Sequence, residues 1–169
     1  MAIIANSLQH VYAALDRYLT AVLVFPDLSL VPLQLHGVRR FTRTTDIPWV
    51  EAHYDFLGLQ QTFLNRAGQQ AALPIIGTQR EGYLQLNCYQ RARTFATRYT
   101  TATIRDLVVG AFPDGELIPV YADDTTTHEG NLIIDGVQEH VVDTGYHSGV
   151  VQHVIQVAMR YWELYTRSV

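Results

Sequence analysis

The stretch from Gly82 to Phe112 constrains the fold most, because a short alternating segment leads at once into a long segment without Pro. In the first part, Leu84, Leu86 and Cys88 alternate with polar or aromatic residues. This period of two is the pattern of a strand with one buried face. The sequence therefore predicts a strand over 82–88 that feeds directly into a helix.

The helix is predicted from about Arg93 to Ala111, a segment in which the first Gly is Gly110. One broad arc of the helical wheel forms its predicted core face. That arc contains Phe95, Ala96, Tyr99, Ala102, Thr103 and Leu107. Ile104, Val108 and Phe112 fall outside it. They indicate either a helix buried on two sides within its own domain or a helix that contacts a neighbouring subunit.

An earlier helix is predicted after Asn6 or Ser7, either of which can serve as its N-cap, with a clean apolar stripe from Leu8 to Leu23. Pro26 follows the helix and Pro32 suits an edge strand or an extended connector over 28–35. Further strands are predicted at 49–56, 116–121 and 150–162, the last in the centre of the sheet. The irregular segment 57–79 is predicted to be a loop that leaves the compact body.

Asp135-Gly136 lies between two strand-like runs and favours a tight hairpin, because Asp-Gly readily supplies the positive φ angles of a type I′ turn. Two helices and five to seven strands in this order predict an α+β fold. The expected sheet is mostly antiparallel or mixed, with the two main helices packed on one face and a β-hairpin extension. The 169 residues fit a single domain, 1–169.

The composition of the chain argues against nucleic acid and membrane as partners. Charged residues make up only 17% of the chain and the net charge is −4, which argues against a protein that neutralises phosphates over a broad face. We therefore expect no sequence-specific nucleic-acid binding. No apolar run approaches the roughly 20 residues needed to span a bilayer, and the N-terminal residues lack a secretory signal. The sequence predicts a soluble protein made inside the cell, without a membrane partner.

All twelve basic residues are Arg, and the chain also has ten Tyr. Arg and Tyr are enriched, and Lys is depleted, where proteins bury surface against each other. The bias indicates assembly, or else codon drift in a GC-rich genome. Arg39, Arg40 and Arg43 lie in a Thr-rich segment that is either a solvated loop or a basic arm that pairs with a partner's carboxylates.

Enzymatic constellations are missing from the sequence. It contains no Gly-x-Ser-x-Gly elbow, no phosphate loop and no Lys, and Cys88 falls on the inward side of a strand. The seven His show no zinc-like spacing, and the spacing of the carboxylates proposes no paired acid and base. We therefore predict a protein that is not an enzyme, with no catalytic residues, no cofactor and no metal.

The order of elements carries a resemblance. The chain opens with an amphipathic helix, followed by a strand at Trp49 and an irregular excursion. Gly82-Tyr83 then leads through a strand to a helix that ends near Phe112. Further strands follow, and the last is Val-rich and ends in Tyr161. From about Leu8 to Tyr165, this order resembles the tail terminator, or tail completion, proteins of long-tailed bacteriophages.

The resemblance implies a structural virion protein. Copies of the chain would form a ring, typically hexameric, on the head-proximal end of the tail tube. The ring would end polymerisation of the tube protein and offer a face to the head-completion or connector protein, with DNA passing through its lumen. The chain would be found in the host cytoplasm during assembly and then in the virion tail.

Within such a ring, four arginines are candidates for contacts between subunits: Arg91, Arg93, Arg98 and Arg105. Ion pairing within one subunit is the alternative for each of them. Two other functions stay open. One is a tail tube or head-tail connector subunit of the same virion, and the other is a small-ligand-binding or enzymatic α+β domain with an apolar pocket lined by Tyr and His.

Overall fold

A computed structural model describes residues 2–37, 47–63, 75–91, 99–144 and 149–166. These residues form two helices and seven strands. In chain order they are β1 Ala2–Ala5, α1 Leu8–Val22, β2 Leu33–Gln34, β3 Trp49–Phe63, β4 Ile75–Arg91, α2 Thr101–Ala111, β5 Leu117–Tyr121, β6 His128–Thr144 and β7 Val150–Thr166.

The strands form one mixed sheet in the order β2-β3-β4-β7-β6-β5, and β1 pairs with the far end of β7. All pairs are antiparallel except β2 with β3. The prediction of an α+β fold is confirmed, and so is the central place of the last strand, since β7 lies between β4 and β6. Buried residues of both helices belong to the same hydrophobic cluster as the buried residues of the strands.

Helix α1 follows its sequence pattern. Val11, Leu15 and Leu19 are buried at spacings of four residues, which places them on one face of the helix. Ser7 is the N-cap, and its Oγ accepts a hydrogen bond from the His10 backbone N–H at 3.2 Å. The capping oxygen satisfies one of the four N–H groups that a helix leaves without a partner at its start.

The hairpin predicted at Asp135-Gly136 is wrong. These two residues lie within β6, which pairs with β7 both before and after them. The register shifts between Ile134 and Gly136, and Gly136 has φ +147°. A β-bulge needs unusual backbone angles just as a tight turn does, and β7 is long enough to pair with β6 from Ile133 to Thr144, on both sides of the bulge.

The start and the core face of the second helix also differ from the prediction. Thr100 is extended, with φ −125° and ψ 171°, and caps α2, so the helix begins at Thr101 and not near Arg93. Ile104, Val108 and Phe112 are buried in the chain's own core, whereas Ala102 is exposed and Leu107 is only partly buried. The core therefore covers the residues that fell outside the predicted arc.

The described parts of the segment predicted to be a loop, 57–63 and 75–79, are strand. β3 extends to Phe63 and β4 begins at Ile75, and their ladder runs from Trp49 opposite Tyr89 to Phe63 opposite Ile76. Glycines and a bulge between Gly58 and Gln60 are tolerated because strong pairing continues on both sides. Residues 64–74 lie outside the described residues.

A polar cluster fixes the start of α1 to the β5–β6 connection. His10 Nδ1 lies 2.8 Å from Glu129 Oε2, and its Nε2 lies 3.1 Å from Asp123 Oδ1. Glu129 Oε2 also accepts a hydrogen bond from the Asn6 backbone N–H at 2.7 Å. The hydrogen bond that Glu129 accepts from the His10 ring is the main reason why the pKa of His10 is raised above its usual 6.5, with Asp123 acting in the same direction against burial.

A folded-state pKa above the unfolded value makes this cluster stabilising at low pH. We expect its contribution to be fully present below about pH 6.5 and to be lost as the pH rises through the folded-state pKa of His10. His10→Gln should flatten the pH dependence of the free energy of unfolding in that window, measured by urea denaturation between pH 5.5 and 8.5 (about one unit below to two units above the ordinary His pKa). His140→Gln, at an exposed position on β6, is the matched control and should keep the wild-type dependence. Equal curves for His10→Gln and wild type would contradict the assignment.

Candidate functional site

The start of α2 is anchored to the end of β4. Thr100 Oγ1 accepts a hydrogen bond from the Thr103 N–H, and Thr103 Oγ1 accepts one from the Thr100 N–H, which makes a reciprocal capping box. The next N–H, that of Thr101, donates to Oε1 of the buried Gln90 at 3.0 Å. These bonds fix the direction in which α2 leaves the sheet, and so the position of its exposed side.

Arg105 lies one turn further along α2 and reaches across to β6. Its Nε and Nη2 donate to the two carboxylate oxygens of Glu139, both at 2.6 Å. Its Nη1 donates to Asp106 Oδ1 at 2.7 Å. A guanidinium has five N–H donors, so two of them stay available for a further acceptor. The pair clamps α2 to β6 in the bidentate geometry that Arg favours.

Arg105 and Glu139 stabilise each other in their charged forms. Hydrogen bonds from Arg105 hold the pKa of Glu139 below its usual range, and bonds to Glu139 and then Asp106 raise the pKa of Arg105. Both groups are thus ionised at neutral pH, and their opposite charges largely cancel. The Arg105–Glu139 pair is therefore neutral overall, and Asp106 adds one formal negative charge beside it.

Beside this pair, β6 has an open edge. β5 pairs with β6 only as far as Ile133, and within the described part of the chain no strand pairs with that edge of β6 from Gly136 to Val142. Val141 and Val142 are each 60% exposed. An unpaired strand edge with apolar side chains is a template for pairing with another chain. We call Arg105, Asp106, Glu139, Val141 and Val142 the α2–β6 corner.

The corner residues other than Val142 border a shallow cavity of about 420 Å³. Ala102, His140 and His153 complete its lining. Among the described residues, no group of three His, Cys, Asp or Glu side chains could hold a metal ion. Cys88 is buried in the core, and burial raises the pKa of its thiol to about 12, so it stays protonated and unreactive at neutral pH. The residues that line the cavity include no Ser, Cys or Lys.

Two of the four arginines proposed for subunit contacts lie in the described residues. Arg105 is part of the corner, and Arg91 is exposed at the end of β4, next to the Gln90 that anchors α2. Because neighbouring side chains of a strand point to opposite faces of the sheet, Arg91 points away from the face on which Gln90 meets α2. The candidates Arg93 and Arg98, and the candidate partner-contact residues Arg39, Arg40 and Arg43, lie outside the described residues.

Sequence reasoning missed the rest of the corner. Glu139 is 34 positions from Arg105, and nothing in the spacing of the two residues connects them. The pair Val141-Val142 did carry a signal, because two adjacent Val at the end of a polar run break the period of two. That break coincides with the bulge between Val141 and Asp143.

In the part of the chain that the structure describes, neither helix is long and apolar enough to cross a membrane. The sequence matches no protein-family model and no curated protein.

Proposed function

We propose that this chain is a tail terminator, or tail completion, protein of a long-tailed bacteriophage. Copies of it form a hexameric ring on the head-proximal end of the tail tube. The ring ends tube polymerisation and gives the head-completion or connector protein a surface to bind, while DNA passes through the lumen. It works in the virion tail by shape, without catalysis.

The open edge of β6 is the observation that carries this proposal. The isolated subunit leaves a strand edge and two 60% exposed Val side chains in water, beside an ion pair whose charges cancel. Monomeric proteins usually protect such edges with Lys, Pro or a covering segment, and this chain contains no Lys. A subunit that completes its surface only by assembling accounts for the exposure.

The order of the elements supports the same proposal. An opening helix, a paired β3 and β4, a second helix and a long closing strand follow each other as in the resemblance. In this proposal both helices cover one face of the sheet, and the outer halves of β3 and β4 form the β-hairpin extension. Arg91, Arg93, Arg98 and Arg105 contact the neighbouring subunit, and Arg39, Arg40 and Arg43 contact the tube or the connector.

The direct test mixes the purified chain with tail tubes of the phage that encodes it. Negative-stain microscopy should show tubes with one capped end and no further growth when tube protein is added. Open stacking of the chain itself into tubes would indicate a tube subunit instead. A protein that stays monomeric and leaves both tube ends bare would overturn the proposal in favour of a ligand-binding or enzymatic domain.

Val141→Lys tests the role of the β6 edge. A Lys on an edge strand opposes pairing with another chain because the ammonium group stays hydrated. We expect this variant to fold normally and to lose ring formation and tube capping. Tyr83→Lys is the matched control, since Tyr83 is 43% exposed on β4, whose edges are both paired. Equal capping by the two variants would remove the β6 edge from the interface.

A further inference from the structure

The turn that follows α1 projects a leucine into solvent. Leu28 is 84% exposed and has φ +67°, a left-handed conformation that a branched apolar residue rarely adopts. Gly or Asn would fit this angle with less strain and without exposing apolar surface. Strain of this kind persists where the surrounding structure enforces it, and it clusters at functional sites.

Hydrogen bonds enforce the conformation of this segment, Phe25–Leu30, which we call the Leu28 turn. The Leu28 N–H donates to the Phe25 carbonyl, and the Phe25 N–H donates to the Ser29 carbonyl, both at 2.8 Å. Asp27 Oδ1 accepts from the Ser29 N–H at 3.1 Å and from its hydroxyl at 2.5 Å. The turn is therefore a rigid projection with Leu28 at its tip and a carboxylate beside it.

A recess that could accept a leucine side chain and a neighbouring carboxylate lies between α1 and β5. It has a volume of about 250 Å³, larger than a leucine side chain. The guanidinium of Arg17 lies over the Tyr121 ring, 5.5 Å from its centroid. The lining, which we call the α1–β5 recess, consists of Ala14, Arg17, Tyr18, Ile118, Pro119 and Tyr121. It presents mainly apolar surface together with one positive charge.

The Leu28 turn and the α1–β5 recess belong to opposite edges of the sheet. The turn leads into β2, the first strand in the sheet order, and β5 is the last. Helix α1 runs between them, and its middle lines the recess. Its C-cap, Leu23, accepts a hydrogen bond at 3.1 Å from the N–H of Val31, the residue that follows the turn. A closed ring needs two different complementary surfaces on each subunit, and these two features meet that requirement.

We propose that the Leu28 turn of one copy inserts into the α1–β5 recess of the next copy, with Asp27 facing Arg17. Insertion removes the most exposed leucine of the described chain from water and pairs opposite charges at the rim. The recess is lined in part by β5 and the open edge belongs to β6, so both features lie at the same end of the sheet order. The closure of such contacts into a ring rests on the function proposed above, whereas the contact itself does not.

A cross-linking experiment tests the contact on the full-length chain. Leu28→Cys and Pro119→Cys are made separately, mixed, and treated with a short bismaleimide, while the buried Cys88 provides the background in wild type. The expected product is a dimer that forms in the mixture and contains one copy of each variant. Absence of this product in the mixture would overturn the proposal.

The same experiment separates the proposal from its nearest competitor. A second cavity of about 360 Å³, lined in part by Phe25, Ile47 and Tyr99, adjoins the turn itself. Two copies related by a two-fold axis could exchange their leucines into it. Leu28→Cys would then cross-link to itself without the other variant, and that result would overturn insertion into the α1–β5 recess.

Leu28→Gly measures how much the Leu28 side chain contributes to association between copies of the chain. Gly adopts φ +67° without strain, so the subunit should be at least as stable as wild type. Its self-association, measured by analytical ultracentrifugation, should weaken by about tenfold to a hundredfold, the loss expected for one buried leucine. Leu8→Ser, at an exposed position at the start of α1, should change association by less than about twofold.

The two proposals fail in different ways. If Leu28→Gly assembles and caps tubes like wild type, the contact is wrong and the terminator function stands. If wild type cross-links through the recess but never binds a tube end, the contact stands and the terminator function is wrong.

Discussion

Gly82→Ala is expected to lower the free energy of unfolding by about 3 kcal/mol or more, at or beyond the upper end of what overpacking usually costs. Gly82 is opposite Phe56 on β3 and Met159 on β7. A Cβ atom at position 82 would lie 2.0 Å from the Asp55 carbonyl oxygen and 2.7 Å from the Phe56 Cα. These are backbone atoms of a paired strand, so relief requires movement of β3 or β4 and not a change of rotamer.

Thermal and urea unfolding measure this effect. For a domain of this size the loss corresponds to a fall in Tm of roughly 6–12 °C. Gly110→Ala is the matched control, because a Cβ there meets nothing within 4 Å and Ala suits a helix better than Gly by about 0.5–1 kcal/mol. The control should be as stable as wild type or more so. A Gly82→Ala protein with wild-type stability would show that β3 and β4 do not approach as closely as described.

Local sequence patterns predicted the helices and strands in which buried residues recur at a regular spacing. Helix α1 and the strands at 82–88 and 150–162 each have an apolar face of three or more residues, and each was found inside an element of the expected type. Such patterns work because one face of the element meets the core and the other meets water. The capping Ser7 is a local signal of the same kind.

The errors arose where one local signal fits two structures. Asp135-Gly136 suits a type I′ turn, yet the long partner strand β7 makes it a bulge. Thr100 caps α2 because its hydroxyl accepts a hydrogen bond from the Thr103 N–H, and this capping signal lay inside a segment that was otherwise helix-compatible. Only the length of a partner strand, or a contact distant in sequence, resolves such cases, and neither is visible in a local window.

The candidate site, like the fold, was predicted only where a residue's own type gave a signal. Arg105 was selected from the sequence, since Arg is the residue most suited to planar ion pairs at interfaces. Its partner Glu139 depends on how β6 passes α2, and the strain at Leu28 depends on backbone angles that no composition rule reports. Both features are consequences of tertiary structure.

The buried face of α2 gives the second large effect. Phe112 is 1% exposed, and its ring centroid lies 5.3 Å from that of Tyr18. The Tyr18 hydroxyl donates a hydrogen bond to the Ala111 carbonyl at 2.5 Å. Phe112→Ala should therefore lower the free energy of unfolding by about 3–5 kcal/mol, since it leaves a cavity between α1 and α2. Urea denaturation, with the midpoint and slope fitted separately, measures this loss.

Leu107→Ala is the informative comparison, because Leu107 belongs to the face that the helical wheel predicted for the core. Its side chain is only partly buried, so the substitution should cost about 1 kcal/mol, in proportion to the apolar area that leaves water on folding. The two faces of α2 thus differ severalfold in what they contribute to stability. A Leu107→Ala protein less stable than Phe112→Ala would mean that α2 is rotated about its axis, and the α2–β6 corner would then lose the orientation of Arg105 toward Glu139.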